Sequence, residues 1–106
     1  MKPRPDLTPE ERRALAATFA RAVKEIPSVR AVRVGRRVRH GARYEQGAPD
    51  RADFLAMIDF DDLAGLQTYL QHPEHEALSR LFYQALTSAL IYDFEAGGLE
   101  FLEDLR

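Results

Sequence analysis

The chain has no cysteine among its 106 residues, which excludes a disulfide framework and any thiolate metal site and fits a reducing compartment. It has no apolar run approaching the roughly 18 residues of a membrane span. Its start, Met1-Lys2-Pro3-Arg4-Pro5, lacks the apolar stretch of a secretory signal. The sequence is therefore read as cytoplasmic, with no membrane partner. Internal repeats and low-complexity segments are absent too, and the length predicts one domain that buries about 65% of the unfolded chain's surface.

Net charge is also small, at −2, but its distribution is not even. Residues 1 to 58 carry 13 basic against 7 acidic side chains, and residues 59 to 106 carry 2 against 10. Six arginines and no acid lie between Arg30 and Arg43. Such a stripe would suit phosphates, yet the acidic second half would repel the same ligand, so no nucleic acid is expected as a partner. Charge complementarity between two copies of the chain is the alternative use of the stripe.

Local signals divide the chain into elements. Residues 1 to 7 read as a loose arm. Thr8-Pro9-Glu10-Glu11 is a helix start, with Thr8 as N-cap, Pro9 at the first position and Glu11 closing a capping box. Leu15, Phe19, Ala22, Val23 and Ile26 recur at helical spacing until Pro27 ends the run. Val29 to Val38 reads as a strand with Val32 and Val34 on one face and Arg33, Gly35 and Arg37 on the other. A polar loop follows, and then Ala52 to Phe60 as the second strand, with Phe54, Ala56, Ile58 and Phe60 on one face and Leu55 and Met57 on the reverse. Asp61 or Asp62 caps a helix through Leu63, Leu66 and Tyr69. A second helix starts at Pro73, with Leu78, Leu81, Phe82, Ala85 and Leu86 inward, and Leu90 to Phe94 reads as a third strand.

Tyr69-Leu70-Gln71-His72-Pro73-Glu74-His75 gathers two of the three histidines and a tyrosine about one proline. Pro73 forces a helix break, so His72 ends one helix and His75 falls in the first turn of the next, where the positive end of the helix dipole favours an uncharged ring. His72 and His75 with Glu74 and Glu76 have the donor types of a metal site. The break at Pro73 leaves their orientation unmatched, and the glutamates suit the helix start instead, so no metal is expected.

Tyr-x-x-His-Pro-x-His after a strand ending in Asp59-Phe60-Asp61 resembles the stress-responsive dimeric α/β-barrel (Dabb) family. Ile26-Pro27-Ser28-Val29 leading into Val34-Gly35-Arg36 is similar to the family's IPGV…VGR passage, and Ile91-Tyr92-Asp93-Phe94 is similar to its final strand. The resemblance covers roughly residues 8 to 95. It implies an α+β, ferredoxin-like antiparallel sheet that pairs in a homodimer to form a barrel. The predicted order, α-β-β-α-α-β plus a tail, lacks the family's first strand, which lies inside the sheet and would leave unpaired backbone groups. A tail spanning residues 96 to 106 would fill the slot after the Gly97-Gly98 turn, with a segment of a second protomer or residues upstream of Met1 as alternatives.

The resemblance also implies the functional expectations. One is a homodimer binding a small, largely apolar or aromatic ligand in the barrel cleft, in a stress-associated role. A branch of the family closes polyketide rings without a cofactor, and its residues would correspond to Tyr69 and His75. There His75 would take a proton α to a carbonyl and Tyr69 would donate a hydrogen bond to the enolate oxygen. His72, Phe54, Ile58, Phe82 and Tyr92 would complete the pocket. A dimeric-barrel monooxygenase is a further enzyme alternative by fold analogy. None of these readings requires a cofactor.

Overall fold

The computed structural model describes residues 1–106. Its elements are β1 (Lys2–Pro3), α1 (Pro9–Glu25), β2 (Val29–Arg36), α2 (Arg43–Gln46), β3 (Phe54–Phe60), α3 (Leu63–Gln71), α4 (Pro73–Ala85), β4 (Leu86–Ser88) and a terminal 3₁₀ helix, Leu99–Asp104. No helix is long and apolar enough to cross a membrane.

The α1 start follows the local signals. Thr8 accepts a hydrogen bond from the Glu11 N–H while the Glu11 carboxylate accepts from the Thr8 N–H, which satisfies two of the donors that a helix start leaves open. The strands β2 and β3 form an antiparallel hairpin in which Val32 faces Ile58, Arg33 faces Met57, Val34 faces Ala56 and Gly35 faces Leu55. A bulge at Arg30 lets both Val29 and Val32 turn toward the helices. The bulged arginine reaches Asp61, 2.7 Å away, and the Pro27 carbonyl.

Beneath the helix-facing side of this hairpin sits a small core of Ala22, Ile26, Tyr69 and Leu78, with Leu15, Phe19, Ile58, Phe60 and Phe82 packed around it. Phe19 of α1 meets Phe82 of α4 edge to face at 6.0 Å. The two helices and the hairpin thus make two layers, and the molecule is a slab 19 Å thick.

The remaining strands depart from the expected plan, β1 and β4 forming a second two-stranded sheet beside the hairpin. The first strand is present: it lies in the segment read as an arm, where Lys2 and Pro3 pair antiparallel with Ser88 and Leu86. The Asp53 and Phe54 N–H groups both donate to the Met1 carbonyl, and the Met1 amino group donates to the Phe54 carbonyl, so the N-terminal strand bridges β4 and β3. Two residues give no periodic pattern, which is why the sequence concealed this strand. The tail does not replace it. Residues 99–104 coil as a 3₁₀ helix, incompatible with the proposed return strand. The third strand also shifts, to Leu86–Ser88, because α4 ends at Ala85; Leu90 to Phe94 is irregular and exposed.

Candidate functional site

His72 is the hinge of the helix pair. It is the C-cap of α3 and the N-cap of α4 at once, in an extended conformation that the following proline favours. Its N–H donates to the Tyr69 carbonyl, and its ring Nδ1 accepts from the Glu74 N–H at 3.1 Å. The His72 ring is thereby committed to capping. Its carbonyl accepts from the His75 and Glu76 N–H groups, which starts α4 tightly.

This tight turn brings Tyr69 and His75 together. Their ring centroids are 4.6 Å apart, and Tyr69 also lies 5.2 Å from Phe60. Tyr69 is only 7% exposed, and its burial pushes the phenol above its ordinary value of 10.0. The hydroxyl therefore stays protonated near neutrality and is available as a hydrogen-bond donor. His75 is half-buried beside it.

The large open space in the protein is elsewhere. A cleft of about 480 Å³ lies between α1, α4 and the hairpin, walled by Leu7, Leu15, Phe19, Val34, Phe54, Ala56, Phe82 and Leu86 among others, with Arg4 and Arg12 as its charged side chains. Of the expected site residues, Phe54 and Phe82 line it. Ile58, two residues along β3 from Ala56, is packed on the core instead. Tyr69 and His75 meet each other but line no part of the cleft, and His72 is occupied as a cap. Tyr92, expected as a wall, is 70% exposed on the irregular stretch after β4, because the strand that would have turned it inward ends at Ser88.

Several lining residues carried no advance signal. Leu15 and Phe19 stood out as an apolar helix stripe, but Met1, Arg4 and Leu7 lie in a segment too short and proline-rich to be read as structure. A backbone bond from the Arg4 N–H to the Ala85 carbonyl draws that segment across the cleft floor.

The fold is a ferredoxin-like α+β fold, and the chain shares it with several solved structures. An Arabidopsis thaliana protein matches at 18% identity and a TM-score of 0.76, over 92% of this chain and 90% of its own. A dimeric ferredoxin-like protein of unknown function from Thermobifida fusca matches at 21% and 0.61, over 82% and 76% of the two chains. A dimeric protein of the same fold from Bacteroides fragilis, also of unknown function, matches at 25% and 0.55, over 88% of each. No curated protein matches the sequence. The family model for the stress responsive A/B barrel domain, Dabb, matches residues 1–96, and the chain belongs to that family.

Proposed function

We propose that this Dabb protein is a homodimer in which each protomer binds a small, largely apolar molecule in the cleft between α1, α4 and the β2–β3 hairpin. The observation that carries the reading is the cleft itself, with about 480 Å³ of space and almost wholly apolar walls. That volume lies in the range of roughly 300–1,000 Å³ typical of small-molecule sites. Two dimeric relatives of the same fold support the assembly.

The test is a fluorescence titration with the neutral apolar probe N-phenyl-1-naphthylamine. Saturable binding is expected in the wild type, and loss of binding in Ala56→Phe and Ala16→Phe, whose new rings would occupy the cleft. Failure of the wild type to bind, or undiminished binding in both folded variants, would overturn the assignment.

A second reading, cofactor-free ring closure, is favoured by one observation, the contact of the Tyr69 phenol with the His75 imidazole. With a substrate at this pair, His75 would take the α-proton while the Tyr69 hydroxyl donates to the enolate oxygen. The enolate carbon would attack a second carbonyl of the same substrate to form the ring bond, and the imidazolium would return its proton to the new alkoxide. Incubation with a linear poly-β-ketone, followed by mass spectrometry and chromatography, checks it. Cyclised product must form faster than in buffer and disappear in both Tyr69→Phe and His75→Asn; otherwise ring closure at this pair is excluded.

A further inference from the structure

Resting on the cleft as the binding site, we propose that its ligand is an amphipathic monoanion, an apolar body ending in a carboxylate, with the carboxylate seated against Arg12 and Arg4. The cleft walls carry two guanidinium groups and no acidic residue. A ligand that was apolar throughout would leave the Arg12 guanidinium without an acceptor.

The two arginines differ in their existing partners. The terminal nitrogens of Arg4 are taken by Asp6, at 3.4 Å, and by Glu11, yet its Nε is out of solvent with no acceptor in the protein. Buried donors without partners are uncommon and costly. A ligand oxygen reaching that nitrogen would satisfy it. Arg12, one turn into α1, is exposed and has no carboxylate partner, although its neighbour Arg13 is paired with Glu10. Positive charge without an internal partner thus stands beside an apolar hollow, where a carboxylate would gain charge-assisted hydrogen bonds. Glu11 and Asp6 hold Arg4 in place, so Arg12 carries most of the selectivity for an anion.

The experiment is displacement of bound N-phenyl-1-naphthylamine at neutral pH by decanoate, by decanol and by decylamine, which share a body and differ in the head. Decanoate should displace the probe at about a tenth of the decanol concentration, in keeping with a charge-assisted contact at a partly shielded mouth. Decylamine should be the weakest. Arg12→Gln should erase most of the decanoate advantage over decanol, each displacement being read against the probe's own affinity for that variant, and added salt should shrink the advantage in the wild type. If the probe binds but decanoate and decanol compete equally, the anionic head is wrong and the cleft stands. If the probe does not bind at all, the cleft assignment fails with it. An advantage that persists undiminished in both Arg12→Gln and Arg4→Gln would also overturn the proposal, since the anion would then be recognised elsewhere.

Discussion

Tyr69 has two sets of demands on it, from the core and from its own hydroxyl. Its ring is part of the cluster with Ala22, Ile26 and Leu78, so Tyr69→Ala should cost roughly 3–5 kcal/mol, measured by urea unfolding. Tyr69→Phe keeps the ring, and since the hydroxyl has no hydrogen-bond partner within the protein, the variant should fold as well as the wild type near neutrality. The two should part in alkali. Burial raises the folded-state value of the phenol, so the stability tied to its neutral form is complete below the ordinary value of 10.0 and is lost as the pH climbs through the folded one. The wild type should therefore lose more stability than Tyr69→Phe between about pH 8 and pH 11, and parallel curves would show that the phenol ionises as freely in the fold as in the open chain. The sequence revealed that Tyr69 faces inward, because it shares a helical stripe with Leu66. That its ring would meet His75 depended on how sharply the chain turns at Pro73, which no spacing rule supplies.

At the scale of elements, caps and breaks were the legible part. Thr8, Glu11, Asp62 and Pro73 act where their chemistry predicts, because each signal is complete within four residues. Thr8→Ala should destabilise the protein by about 1 kcal/mol. Glu11 is held below its ordinary value of 4.5, first by the Thr8 N–H and then by the Thr8 side chain. Its contribution is present above that value and fades as the pH falls through the folded one, so Glu11→Gln should flatten the acid limb of a stability profile recorded by thermal melts. His72→Ala removes the acceptor at the start of α4 and should cost about 0.5–2 kcal/mol, whereas His72→Asn should restore most of it. Equal loss in both variants would mean that the ring contributes packing and not a cap. The two shortest strands were illegible for the opposite reason. β1 and β4 are two and three residues long, and their pairing joins segments more than eighty residues apart. Nothing local announces such a pair; the apolar alternation of Leu90 to Phe94 looked more like a strand than the residues that form one.

The whole molecule is under-buried as a single copy. Only seven of its 106 residues are buried, and its radius of gyration is 15.8 Å against about 13 Å expected for a compact chain of this length. The reverse face of the hairpin exposes Leu55 at 58% and Met57 at 45%, beside Gly35 and Arg33. A sheet covered by helices on one side only needs a second cover for such a face. In the proposed homodimer a second copy of the same sheet would cover this face, and the acidic second half of one protomer would offer partners to the arginines of the other. The alternation of Leu55 and Met57 with the core-facing residues was visible in the sequence, and so was the arginine stripe, but neither indicated that the first layer would leave this much surface open. Placing a charge at the centre of the face separates assembly from folding. Met57→Asp and Leu55→Asp should each convert a dimer to a monomer in sedimentation equilibrium, because assembly through this face would bury an unpaired carboxylate. A dimer that survives both substitutions would move the interface off this face, most directly to the exposed stretch around Ile91 and Phe94. Retention of probe binding in the monomeric variants is expected as well, since the cleft walls come from one chain and lie on the opposite side of the sheet.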